Sequence, residues 1–352
     1  MKTRADLVRL LQESGIDFQT MEFGRRWMIV CPALGARIMG AGIGQENALW
    51  IPPALSTRGW NEGGNAGGQR TWIAPEAGPS GFFFSADGTT WAVPTDLDPG
   101  RYHASPAAAA VACFETELTA RTARGVSRRI SLRRCIKLEE KSDLPGSALT
   151  IGFRHELRNV GRSMLEKVIG LWSIIQLPCE SPGAIFFSTH REAATLSRHF
   201  GEPPRSEDCG KVVWLRVQGG ARYKVGMSPS DFSGTVGFVR RARVEEDGRI
   251  PLVITTMRFD VDPAGTYLDK VSYVASSTPS NGDAAQAYCD TGTGDLAFCE
   301  IESHGPAVSL APGQSQGQDV RISIAHVGEE ELEQFMTEGF GIEAPPRNIL
   351  PA

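Results

Sequence analysis

The sequence predicts an all-β protein: one large antiparallel β-sandwich with a short helix at each end. Three observations carry the prediction. Period-two alternation of apolar and polar residues recurs along nearly the whole chain, as strands buried on one face require. The 39 glycines and 22 prolines supply the many turns such a chain needs. Helical periodicity is confined to the two ends, about residues 1–16 and 328–338, and the whole of 1–352 reads as a single domain.

Thr3 caps the first helix, Leu7, Leu10 and Leu11 form its apolar stripe, and Gly15 follows its end. Short apolar runs at 26–30 and 36–40 are bounded by Pro32 and Gly35. Residues 41–80 read as loop-rich. The segment Ala86-Asp87-Gly88-Thr89 signals a hairpin joining 81–85 to 91–93. Longer strands are expected at about 110–120 and 126–138. In the second, Ile130, Leu132, Ile136 and Leu138 alternate with Arg129, Ser131, Arg133 and Lys137, so its basic face reads as solvated. Residues 147–158 place Leu149, Ile151, Phe153, His155 and Leu157 on one side. Residues 168–178 carry Ile169, Leu171, Ile175 and Leu177 on one face and Trp172 and Gln176 on the other. Further strands are expected at 185–189, 211–218, 222–227, 234–240, 250–259, 270–275 and 319–327. The closing helix begins with glutamates at 329–331, which suit the helix dipole.

The bulk properties narrow the class. A net charge of −5 argues against a nucleic-acid partner. No segment reaches the roughly 18 apolar residues of a membrane span. The seven cysteines are odd in number and show no Cys-x-x-Cys pair, which reads as free thiols and a cytoplasmic protein. Phosphate-loop, Gly-x-Ser-x-Gly and His-Glu-x-x-His motifs are missing.

Two segments carry candidate chemistry. On a strand through 297–306, Phe298, Glu300, Glu302 and His304 share one face, while Cys299, Ile301 and Ser303 point to the core. Glu300, Glu302 and His304 admit acid–base work, a divalent-metal site or a solvent face without a role. Adjacent carboxylates on a partly buried face raise the pKa of one of them. In the loop 67–76, Gln69, Arg70, Trp72 and Glu76 combine an aromatic face with directional polar groups, as sugar sites do. The competing reading is a buried Trp anchor beside a surface Arg–Glu pair. His155 on an apolar face more often belongs to a core, and Trp172 with Gln176 is the weaker hint.

Three segments resemble the galactose-mutarotase-like superfamily. They are Gly35-Ala36-Arg37-Ile38-Met39-Gly40 with Glu46-Asn47-Ala48-Leu49-Trp50, the 67–76 segment with its Arg, and Glu-x-Glu-x-x-Gly-Pro at 300–306 with Leu-x-Pro-Gly-Gln-Ser at 310–315. The resemblance spans about 20–327 and implies a large β-supersandwich. It further implies a cofactor-free, metal-free sugar mutarotase or epimerase, an isomerase with a Glu base and a His acid. Glu300 or Glu302 matches the base; His155, with His304 in reserve, matches the acid. Arg70, Gln69, Trp72, Glu76, Trp172 and Gln176 would bind a sugar or sugar derivative, in a monomer or homodimer. The chain has Gln69-Arg70 in place of the family's Asn-Arg pair and lacks its late Glu-x-Gln segment. It is therefore closer to uncharacterised bacterial branches. A non-catalytic sugar-binding module, or a lyase or hydrolase using paired carboxylates, are the alternatives.

Overall fold

The computed structural model describes residues 2–55, 64–107, 110–142, 144, 147–217, 219–242, 251–269 and 282–341. Among the described residues, strands assemble into a nine-stranded sheet, a ten-stranded sheet and a two-stranded ribbon. From edge to edge the first sheet runs β1 (Gln19–Phe23), β2 (Arg26–Cys31), β3 (Arg37–Ile43), β4 (Gln69–Ala74), β10 (Gly170–Pro178), β19 (Phe298–His304), β18 (Ala285–Cys289), β15 (Tyr223–Met227) and β12 (Ser197–Phe200). The second runs β13 (Ser206–Asp208), β14 (Val212–Val217), β11 (Gly183–Thr189), β16 (Phe232–Arg241), β17 (Leu252–Phe259), β21 (Ser315–Val327), β8 (Ser147–Asn159), β7 (Ser127–Glu139), β6 (Val111–Arg121) and β5 (His103–Ser105). The ribbon pairs β20 (Ser309–Leu310) with β9 (Leu165–Glu166). Every pairing is antiparallel, as predicted.

The sheets bury their facing sides against each other. Leu132, Ile136, Leu149, Ile151 and Phe187 of the ten-stranded sheet share one core with Leu171, Ile175, Cys299 and Ile301 of the other. Period two explains the sorting: the same alternation that sends Cys299 and Ile301 inward sends Glu300 and Glu302 to the far face.

Helices close the outer sides. Helix α1 (Arg4–Glu13) is held by a reciprocal cap in which Thr3 Oγ1 accepts from Asp6 N at 3.1 Å and Asp6 Oδ2 accepts from Thr3 N at 3.0 Å. Leu7 and Leu11 pack on Trp27, Ile29 and Met39 of β2 and β3. Helix α2 (Glu329–Phe340) lays Leu332 and Met336 on Phe186, Trp214 and Ala325. None of the described helices is long and apolar enough to cross a membrane.

Three expectations need revision. The segment 67–76 is a fully buried central strand over Gln69–Ala74, not a loop; its polar residues hide the alternation because buried partners satisfy them. The hairpin at 81–93 forms but is shorter than its expected arms, with one antiparallel bridge between Phe84 and Trp91 and backbone bonds from Ser85 to Thr90 and from Ala92 to Phe83. Cys113 and Cys135, opposite each other on β6 and β7, form a disulfide, so they are not free thiols. Strands β1, β12 and β18 had no sequence expectation; β18 is Ala-Gln-Ala-Tyr-Cys, without the β-branched residues that mark strands. The strand expected at 270–275 lies outside the described residues.

The two-sheet core makes a stability prediction. Phe187 is wholly buried between the sheets, so Phe187→Ala should cost about 3–5 kcal/mol. Chemical denaturation would read the loss as a lower midpoint at unchanged slope.

Candidate functional site

A cavity of about 340 Å³ lies on the face of the nine-stranded sheet turned away from the ten-stranded one. Strand register builds its floor. Trp172 on β10 stands opposite Trp72 on β4 and His304 on β19. The next rows along the strands place Arg70, Ile174, Glu302 and Gln286 side by side, then Gln176, Glu300, Tyr288 and Lys224. Glu76, Phe84 and Trp91 wall the cavity from the segment after β4.

The floor is a network of buried charges. Glu300 Oε1 accepts from Arg70 at 2.9 Å and from Gln176 Nε2 at 2.7 Å. Burial pushes the Glu300 carboxyl up, against the lowering pull of Arg70, and the negative charge of Glu302 adds to the rise. Glu302 Oε2 accepts from Trp172 Nε1 at 2.8 Å and lies 3.2 Å from Lys224 Nζ. Burial would raise the Glu302 carboxyl too, but Lys224 and His304 outweigh it and hold it below the usual carboxylate range. Its other oxygen, Oε1, is buried with no hydrogen-bond partner among the described residues. Such an atom is an acceptor without a partner in a residue that lines the cavity.

Lys224 joins three carboxylates. Its Nζ lies 3.2 Å from Glu302, 3.6 Å from Glu76 and 3.6 Å from Asp269, and 4.5 Å from the centre of the Trp172 ring. Glu76 takes a hydrogen bond from Trp91 Nε1 at 2.9 Å. Burial pushes its carboxyl up, with Asp269 and Glu302 adding to the effect and Lys224 opposing it. Glu76 and Glu302 thus share one ammonium while their environments drive their protonation apart, the arrangement that separates an acid from a base.

Behind Arg70 runs a supporting line. Asp98 Oδ1 and Oδ2 lie 2.7 and 2.8 Å from Arg37, whose other arm donates to the Gly67 carbonyl at 2.6 Å. Asp98 also accepts from Trp72 Nε1 at 2.9 Å, and the Arg70 guanidinium lies 4.3 Å from the Trp72 ring centre. One carboxylate therefore positions both the aromatic wall and the cation that grips Glu300.

Most of the residues picked out from the sequence meet here. Arg70, Trp72, Glu76, Trp172, Glu300 and Glu302 line the cavity, and Gln176 supports its floor. Three do not line it. His155 stands on β8 between the sheets, with Nδ1 2.6 Å from Thr71 Oγ1, and burial with Arg134 nearby pushes its imidazole well below the ordinary range. Gln69 faces the same interior, donating to Ser173 Oγ at 2.9 Å and accepting from Arg134. Both are core residues: Gln69 and Thr71, at odd positions of β4, point inward, and His155 of β8 meets Thr71 there. His304 shares the site's face but stacks on Trp172, ring centres 5.2 Å apart, with Nε2 3.9 Å from Glu302. Among the described residues, no three His, Cys, Asp or Glu are grouped to hold a metal ion. Lys224, Asp98, Arg37, Asp269 and Trp91 were not singled out in the sequence. Lys224 lies on an expected strand, and a lysine inside an apolar run such as Tyr223–Met227 was the available signal.

Comparisons agree with this architecture. The model of a family of unknown function, DUF6786, matches residues 5–345. No curated protein matches the sequence. The crystal structure of a proposed aldose 1-epimerase from Escherichia coli K12 superposes with a TM-score of 0.50 at 12% identity, covering 89% of this chain and 100% of that one. A galactose mutarotase-like protein from Lactobacillus casei gives 0.48 at 9% identity, covering 88% and 100%. A similar protein from Klebsiella pneumoniae, also a proposed aldose 1-epimerase, gives 0.49 at 11%, covering 94% and 88%. The fold is galactose-mutarotase-like.

The supporting line is testable by stability. Asp98→Ala leaves the buried Arg37 without its counter-charge and should cost about 3–5 kcal/mol in chemical denaturation. Adding Arg37→Met to that variant should recover a large part of the loss, because the stranded charge goes with it.

Proposed function

The chain belongs to the DUF6786 family, and we propose that its cavity binds a saccharide and interconverts its anomers without a cofactor. One observation carries the proposal: across a single ammonium, Glu302 is held ionised while Glu76 is pushed towards its protonated form. Aromatic walls from Trp91 and Trp172 suit the C–H faces of a sugar ring, and the surrounding charges suit its hydroxyls. The mutarotase-like fold is consistent with a sugar ligand.

In this reading the Glu302 carboxylate takes the proton of the anomeric hydroxyl, and Glu76 gives its own proton to the ring oxygen. The bond between the anomeric carbon and the ring oxygen breaks, leaving an open-chain aldehyde. Rotation about the adjacent carbon–carbon bond turns the other carbonyl face to the released hydroxyl. Closure reverses both transfers: Glu76 recovers the hydroxyl proton and Glu302 returns its proton to the carbonyl oxygen. Arg70 and Glu300 hold hydroxyls of the ring. The acid role expected of a histidine passes to Glu76, since His155 lies behind the sheet and His304 behind Trp172.

Exchange NMR on free and phosphorylated aldoses and uronic acids would test this. Faster α/β exchange of at least one sugar is expected, and Glu302→Gln should reduce it by about 10²-fold or more. Line broadening of a sugar without faster exchange would make the protein a binding module instead. The pH dependence follows from the two shifts. The acid limb of kcat/KM should lie below the usual carboxylate range, where Glu302 ionises, and the basic limb above it, where Glu76 loses its proton. Glu76→Gln should remove the basic limb; a limb that persists would assign the acid elsewhere.

A further inference from the structure

We propose that the cavity holds two sugar rings, with a second subsite formed by Phe200, Arg222, Tyr288, Asp290 and Phe298. The proposal rests on the saccharide reading and deepens it: the ligand class becomes a reducing disaccharide or longer saccharide, its reducing ring at Glu76 and Glu302.

The geometry of the sheet carries the argument. The chemistry assigned above uses one end of the cavity, where Trp172, Trp91, Glu76, Lys224 and Glu302 converge. The same cavity continues past Glu300 to Phe298. Glu302 and Phe298 stand on one face of β19, four residues apart, roughly 14 Å at 3.4 Å per residue. That length exceeds a single pyranose ring.

The far end has the composition of a ring-binding site. Tyr288 and Phe298 have ring centres 6.1 Å apart at an interplanar angle of 52°, and Phe200 lies 6.2 Å from Tyr288 at 63°, so the three make one continuous aromatic wall of inclined rings. Trp50 supports it from behind, 4.6 Å from Phe298, and is itself fixed by an Nε1 hydrogen bond to the Asp295 carbonyl at 3.0 Å. Arg222 lies 5.4 Å from the Phe200 ring centre at the exposed rim, and the Tyr288 hydroxyl donates to Asp290. A charged donor and a charged acceptor thus flank an aromatic wall, suiting the hydroxyls and C–H groups of a second ring. None of these five residues is required for the proton transfers.

Calorimetric titration of the full chain compares glucose, galactose and glucuronate with maltose, cellobiose and lactose. Stacking of one additional ring has the size to tighten binding about tenfold. At least one disaccharide should therefore bind about tenfold more tightly than its own reducing-end monosaccharide. In Tyr288→Ala that ratio should fall towards one. Arg222→Ala, at an exposed rim position, should lower it as well and keeps the test valid if Tyr288→Ala fails to fold. Equal affinity for one ring and two in the unmodified protein would overturn the second subsite and leave the anomeric reading standing. Variants that weaken both ligand classes by the same factor would overturn it too. Binding of neither class would overturn the saccharide reading, and the subsite with it.

Discussion

The site depends on one buried ammonium. Lys224 is almost wholly enclosed, and an isolated cation there would be prohibitively costly to desolvate. Three carboxylates and the Trp172 ring make it tolerable. The dependence runs the other way as well. Glu76, Asp269 and Glu302 come from three separate parts of the chain, and without the ammonium they would repel one another in a low dielectric. At Glu76 burial outweighs the pull of Lys224, whereas at Glu302 Lys224 and His304 together outweigh burial, so the two carboxylates are driven in opposite directions. That asymmetry turns a structural charge cluster into a candidate acid and base.

A second buried cation line holds the opposite wall. Arg37 and Asp98 form a pair with little solvent to screen it, and Asp98 passes the constraint to Trp72 and, at 3.9 Å, to Arg70. Arg70 then grips Glu300, which Gln176 holds from the next strand. Each member is paired with the one before it, so the wall is held by charge pairing as well as by packing. This preorganisation suits a site that must present fixed donors and acceptors to a hydroxyl-rich ligand. It also explains how polar residues occupy β4, a strand buried along its whole length.

Much of the fold was legible in the sequence. Sequence pattern located β6, β7, β8, β10, β16, β17 and β21 to within a few residues: β6, β7, β8 and β21 alternate buried with exposed positions over much of their length, and β10, β16 and β17 are buried almost throughout. It also placed Phe298, Glu300, Glu302 and His304 on one face. It failed where polar residues were buried or where small residues made the strand. Gln69 and Arg70 disguised β4 as a loop, and the alanines of β18 carried no strand signal. His155 was placed on an apolar face correctly, yet its role came from the family resemblance, and the resemblance misdirected it. The strand's inner face meets Thr71, not the cavity.

By itself, the sequence determined the period-two pattern, and with it the all-β class, the antiparallel pairing and which carboxylates share a strand face. These are local properties, set by backbone geometry and by the hydrophobic demand of one face. The tertiary structure alone decided that Lys224 sits among Glu76, Asp269 and Glu302, and that Asp98 reaches Arg37, Trp72 and Arg70. Those partners are distant along the chain, and only the register between non-adjacent strands brings them together. Protonation follows from burial and from the nearest charge in space, so the difference between an acid and a base in this site is a property of the fold.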